Sequence, residues 1–200
     1  MTTLVAVSQR VAVDGRHGER IDALDQRWTV FLSRCGLVPL LLPNDPAAAV
    51  ALMTAAPVRG LLLTGGNSLT VCGGDAPERD RTELDVLAAA RARGLPVLGV
   101  CRGLQVLLHA FGVPLRRVEG HAGTWHHVTP SRSVNSFHEF AAVGDAGPLT
   151  VLARSDDGVV EAARHPDEPI DGMMWHPERC EPFVDEDVRA FRGRFLGSAR

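Results

Sequence analysis

The chain contains no lysine and no tyrosine; all 21 basic residues among its 200 are arginine, and no function follows from that bias. Twenty-four acidic residues outnumber them, giving a formal charge of −3 and a pI near 6.2. A basic footprint for a polyanion is therefore missing, and nucleic acid is not an expected partner. The four cysteines, Cys35, Cys72, Cys101 and Cys180, form no C-x-x-C pair, which argues against both a zinc cluster and a disulfide framework. Reduced thiols are expected. No apolar run approaches the roughly 20 residues of a membrane helix, and "MTTLVAVSQR" lacks the basic and apolar regions of a signal peptide. The expected location is the cytoplasm, without membrane contact. Repeats, linkers and low-complexity tracts are also lacking, so residues 1–200 are expected to form a single domain.

What is present is a regular alternation. Apolar runs in "TLVAVSQ", "LVPLLLP", "RGLLLTGG" and "LPVLGVC" alternate with longer amphipathic stretches, the pattern of an α/β fold with a mostly parallel sheet and helices on both faces. The spacing of Ile21, Leu24, Trp28, Phe31, Leu32 and Cys35 predicts a helix over 20–36 that ends at Gly36. Further helices are expected over 46–55, over 77–94, from just after Cys101 to about Gly112, and over about 183–196. Beyond residue 115, short strands separated by Gly, Asp and Pro turns are expected.

In "VLGVCRGLQ" a buried strand stops at Cys101 with Gly99 and Gly103 two residues to either side. That is the context of a nucleophile elbow, where a sharp strand-to-helix turn lifts one side chain out and glycines remove the collisions. A helix N-terminus also favours thiolate. The competing interpretation, a small residue at a βα junction, is about as good for this stretch alone. A base with an orienting partner would decide. "IDGMMWHPE" supplies both: on a continuing strand His176 and Glu178 would point to the same side, with Pro177 stiffening the segment. A carboxylate on one imidazole nitrogen fixes the tautomer and stabilises imidazolium at the other.

Thr64-Gly65-Gly66-Asn67, Gly99-Val100-Cys101-Arg102-Gly103-Leu104-Gln105 and Trp175-His176-Pro177-Glu178, in that order and over that span, resemble the class I glutamine amidotransferase domains, a three-layer flavodoxin-like fold. Within that superfamily, "AVSQR", "RDRTELDVL" and "VNSFH" are similar to the γ-glutamyl hydrolases of the peptidase C26 group. The flavour of "LDQRW", "LLLTGGNSL", "HAGTWH" and "SDDGVVEA" resembles its members that act on γ-glutamyl-CDP-amidates more than those that act on γ-glutamyl-γ-aminobutyrate.

The resemblance implies hydrolysis of a γ-glutamyl amide through a Cys101 thioester, with His176 as acid and base and Glu178 as its orienting partner. The main-chain N–H groups of Gly66 and Arg102 would receive the oxyanion. Gly65, Asn67, Gln105, Asn135, Ser136 and His138 would meet the glutamyl group, although Glu139 stands where many relatives carry a different residue. The implied partner is a small γ-glutamyl substrate; no cofactor is implied, and a homodimer is left open. The alternatives are a glutaminase subunit that passes ammonia to a separate synthase and a non-catalytic binding protein. "GHAGTWHHV" clusters His121, His126 and His127 with Glu119, but the spacing is not H-E-x-x-H and no carboxylate or cysteine follows at ligand distance. No metal is expected there; Trp125 and a histidine bordering the site, with Arg27 toward a nucleotide phosphate, is the functional alternative.

Overall fold

A computed structural model describes residues 3–197. β1 (Thr3–Val7) is followed by an antiparallel hairpin, β2 (Arg10–Val13) and β3 (Arg20–Ala23). The hairpin corrects the expectation of one helix over 20–36. Asp25 caps the chain there, its side chain accepting from the Arg27 N–H at 3.0 Å, so the helix α1 covers only Gln26–Arg34. Trp28, Phe31 and Leu32 form its buried stripe, whereas Ile21 lies exposed on the hairpin.

β4 (Leu37–Leu41), α2 (Pro46–Ala55), β5 (Leu61–Leu63), α3 (Pro77–Ala92), β6 (Val97–Val100) and α4 (Arg102–Ala110) then alternate as expected. Local chemistry sets the ends: Asp45 accepts from Ala48 N–H ahead of Pro46 in α2, and α3 gives way to Gly94 at φ 61°. The second half adds β7 (Arg116–Arg117), β8 (Ala122–Val128), β9 (Arg132–Phe137), β10 (Phe140–Ala141), β11 (Thr150–Arg154), β12 (Val160–Arg164), β13 (Ile170–Met173) and α5 (Asp185–Leu196).

Seven strands form one sheet in the order β11-β12-β13-β6-β5-β1-β4. β4, β1, β5, β6 and β13 run parallel, and β12 and β11 extend the edge in antiparallel fashion. Alternate residues feed opposite layers. Val5, Val7, Leu62 and Leu98 pack with Trp28, Phe31, Val188 and Phe191 of α1 and α5. Ala6, Leu61, Leu63 and Val97 pack instead with Met53, Val86, Leu87 and Leu107 of α2, α3 and α4. The result is the expected three-layer architecture. Among the described residues no helix is long and apolar enough to cross a membrane.

Ligands of open parallel sheets collect beyond the carboxyl ends of the strands. Here the neighbours β5, β6 and β13 lead at those ends into Thr64–Asn67, Cys101 and the His176 segment. Three motifs far apart in sequence thus meet at one sheet edge.

Candidate active site

Cys101 has φ 52° and ψ −106°, a conformation that non-glycine residues rarely adopt. The flanking glycines make it feasible. A Cβ on Gly99 would stand 2.5 Å from the Gly103 carbonyl carbon, and one on Gly103 would collide with the Leu63 carbonyl on β5. The first turn of α4 therefore rests directly on β5 and β6, and the chain can leave β6 only through this sharp bend. Among the described residues, neither Arg102 N–H nor Gly66 N–H has a hydrogen-bond acceptor. The first is the free donor expected at a helix start.

Gly65 marks where the parts converge. A Cβ there would lie 2.5 Å from His176 Cε1, 3.2 Å from Nε2 and 3.5 Å from Cys101 Cβ. Opposite that side of the ring, His176 Nδ1 lies 2.6 Å from Glu178 Oε1. A carboxylate only accepts, so Nδ1 carries the proton toward Glu178 and Nε2 faces the cysteine. The expected pairing is present, but its cause differs from the sequence reading: β13 stops at Met173, and a single 3₁₀ turn at Pro177–Arg179 brings Glu178 back beneath the ring.

Burial by itself would lower the His176 pKa. The Cys101 sulfur, by charge and hydrogen bond, and then Glu178 outweigh it and raise the pKa to about 9. A folded-state pKa raised above the unfolded value contributes stability that is complete below about pH 6.5 and is lost as pH rises through the folded value. Histidine NMR is therefore expected to show a His176 imidazolium that persists to about pH 9, and to lower pH in Glu178→Gln. Titration of the wild-type ring at an ordinary histidine pKa would contradict this arrangement.

A second feature was not singled out from sequence. Arg79 and Arg102, wholly buried, face Glu83 and Asp80: Arg79 Nε donates to Glu83 Oε1 at 3.0 Å, and Arg102 donates to Glu83 Oε2 and Asp80 Oδ1. Burial pulls both guanidinium groups down to about 9, which leaves them charged at neutral pH. The remaining Arg79 donors grip the glycine loop, reaching Thr64 O at 2.9 Å, Gly65 O at 3.0 Å and also Gly66 O. The arginine and acid pattern of "RDRTELDVL" was the available signal, since charges in a helix start usually face water.

Several expected substrate contacts are used internally. The Asn67 amide accepts from Val11 N–H at 2.8 Å and donates to Val11 O at 2.9 Å, stitching the loop to β2. Asn135 clasps the main chain of His176, accepting from its N–H at 2.7 Å and donating to its carbonyl at 2.9 Å. Ser136 donates to His121 O at 2.5 Å, and His138 faces Glu161 at 3.3 Å. Asn135, Ser136 and His138 are buried, and the first two are held by main-chain partners within the protein. Gln105 donates to Phe140 O at 2.7 Å, anchoring β10 to α4. The stretch with Trp125 is the strand β8; Trp125 is exposed, and Arg27 lies on α1. His127 and Glu119 do not join His121 and His126, but Glu161 of β12 does, supplying the carboxylate that the sequence spacing lacked.

A crevice of about 20 Å³, lined by Arg10, Trp28, Gly65, Gly66, His176 and Arg179, opens beside the cysteine–histidine pair. A larger cavity of about 870 Å³ lies elsewhere, against Met173, Trp175, Arg132 and Arg194, and Cys101, His176 and Glu178 do not line it. The reactive groups mark the crevice as the candidate site.

The sequence profile of the Peptidase C26 family matches residues 3–133 and 125–178. A γ-glutamyl-CDP-amidate hydrolase of Campylobacter jejuni is 35% identical over 127 residues, 61% of this chain and 63% of that protein, so the match spans less than two thirds of the relative's length. A γ-glutamyl-γ-aminobutyrate hydrolase of Escherichia coli O157:H7 is 29% identical over 204 aligned positions, covering 80% of each. Among solved structures, a glutamine amidotransferase of Thermotoga maritima has a TM-score of 0.65 at 15% identity, covering 97% of this chain and 84% of that one. A GMP synthase component of Thermoplasma acidophilum has a TM-score of 0.71 at 21% identity, covering 98% of this chain and 92% of that one. The glycine-flanked elbow, the loop beside it and the sheet that carries both thus sit in a chain that belongs to the Peptidase C26 family and has the class I glutamine amidotransferase fold.

Proposed function

We propose that this chain hydrolyses a γ-glutamyl amide bond through a γ-glutamyl thioester on Cys101. The observation that carries this reading is the bend at Cys101, which presents the sulfur to an imidazole whose far nitrogen is held by the buried Glu178. The names of the two hydrolase relatives support the same reaction class.

Cys101 thiolate attacks the δ-carbonyl carbon, and the developing oxyanion receives the N–H groups of Arg102 and Gly66. As the C–N bond breaks, His176 Nε2–H gives its proton to the departing nitrogen. The neutral ring then takes a proton from water, hydroxide attacks the thioester, and glutamate leaves as the sulfur is restored. Glu178 keeps the tautomer throughout. Asn67 and Asn135 are positioning residues in this scheme, the first for the glycine loop and the second for His176.

The crevice holds about one water, since a water needs roughly 10–15 Å³. A glutamyl group must therefore widen it. Arg10 and Arg179 line the crevice together with Asp25 and Glu178, and the two guanidinium groups are the donors available to an anionic leaving group such as a CDP-amidate or an aminocarboxylate.

The test is glutamate release by the purified chain alone from γ-glutamyl-CDP-amidate, γ-glutamyl-γ-aminobutyrate, an uncharged γ-glutamyl alkylamide and glutamine. At least tenfold higher kcat/KM for an anionic conjugate than for glutamine is expected. Equal or exclusive activity on glutamine, or none before a synthase is added, would favour the ammonia-supplying role instead.

A further inference from the structure

The β8–β9 hairpin contains a second constellation that the proposed hydrolysis does not use. His121, just before β8, and His126, within it, meet His138 beyond β9 and Glu161 from β12. Three ring nitrogens surround one carboxylate oxygen: His121 Nδ1 at 3.4 Å, His126 Nε2 at 3.2 Å and His138 Nε2 at 3.3 Å from Glu161 Oε1. None of these approaches has hydrogen-bond geometry, and all four atoms are buried without a partner. Glu161 is wholly buried, and His121 and His138 are 4% and 3% exposed. So many unsatisfied groups around one point need an explanation.

Proton placement sharpens it. His121 Nε2 lies 3.0 Å from Asp157 Oδ2, and Asp157 also accepts from Ser155 Oγ at 2.5 Å. An ionised carboxylate cannot donate, so Nε2 carries the hydrogen and the lone pair of a neutral His121 at Nδ1 is turned on another carboxylate oxygen. Lone pair against lone pair is repulsive unless a cation lies between them or the ring takes a second proton. The distances specify which kind of cation. Donors at about 2.0–2.2 Å from a tetrahedral zinc ion are about 3.3 Å apart; the His121 and His126 nitrogens stand 3.4 and 3.2 Å from Glu161 Oε1, and the three ligand atoms lie within 4.8 Å of one another, a group that does not include His138. Asp157 then occupies the place of the carboxylate that orients a metal-bound imidazole.

We propose that His121 Nδ1, His126 Nε2 and Glu161 bind one divalent transition-metal ion, zinc by preference, with His138 beside them. Imidazole and carboxylate donors suit that class, and three protein ligands leave a fourth position for water. The ion fastens the β8–β9 hairpin to β12. β9 carries Asn135, which holds both main-chain groups of His176, so the fastening steadies the edge of the candidate site without entering its chemistry.

Tag-free protein purified without chelators is expected to contain about one zinc per chain by plasma mass spectrometry. His121→Ala and Glu161→Gln are expected to lose it at least tenfold. His126, the least buried of the three ligands, gives the variant best able to keep its circular dichroism while losing metal. Independently of any variant, the apo chain titrated with Co²⁺ is expected to develop the intense visible bands of tetrahedral cobalt, and zinc is expected to raise its thermal midpoint. Wild-type protein with under a tenth of an equivalent of metal and no cobalt bands would overturn the proposal, leaving protonated histidines paired with Glu161. Unchanged metal content in both His121→Ala and Glu161→Gln would overturn the assignment of the ligands.

Discussion

Cys101→Ala is expected to lower glutamate release by at least about 10⁴-fold while the folded structure persists, because removing a nucleophile leaves only binding and oxyanion stabilisation. Alanine adds no atom to the bend at φ 52°, so the loss would report chemistry rather than unfolding. Quenched single turnovers of the wild type should trap an acyl adduct that hydroxylamine removes, and the variant should trap none. The other thiols provide the contrast. Burial pushes the Cys35 thiol up to about 12, and Cys72 and Cys180 are also raised by burial, so Cys35→Ala should leave both readouts unchanged. More than one hundredth of wild-type turnover in Cys101→Ala would exclude the thioester route.

Glu83→Ala carries the largest expected effect on stability, a loss of about 3–5 kcal/mol. The carboxylate bridges two fully buried guanidinium groups, and its removal leaves two positive charges opposite Asp80 alone. A midpoint lower by roughly 10 °C follows for a chain of this size. Glu78→Ala, which breaks the exposed pair with Arg20, should cost under about 1 kcal/mol because water screens it. Urea unfolding at neutral pH compares the two. A Glu83→Ala loss no larger than that of Glu78→Ala would mean that the buried network contributes little.

Where physics is local, the sequence is readable. Asp45 and Pro46 state where α2 begins, and Gly99, Cys101 and Gly103 state that a strand must turn sharply into a helix. The expectation fails where a local pattern has two solutions. Ile21 and Leu24 fit the helical spacing of Trp28 and Phe31, yet the Asp25 cap starts the helix after them and "RIDA" pairs with "RVAV" instead. β8 is exposed along much of its length, so it lacks the apolar alternation that reveals a half-buried strand. Tertiary relations leave the least trace. Arg79 and Glu83 read as a solvated helix pair until Thr64–Gly66 is laid across them. Asn135 reads as a substrate donor until the His176 main chain fills its amide. Glu161 looks like one polar residue in an apolar strand until the hairpin brings histidines to it.

The grip of Arg79 on the glycine loop also has directional content. Within one trans peptide the carbonyl and the next N–H point opposite ways, so drawing the Gly65 carbonyl toward Arg79 turns the Gly66 N–H away from it. Holding the Thr64 and Gly66 carbonyls as well stops the neighbouring planes from rotating. Three peptide planes are thus keyed by one planar guanidinium on α3, a lock that the single ammonium of lysine could not reproduce. The aim of the proposed oxyanion donor is in this sense written on a helix that itself holds none of the reacting groups.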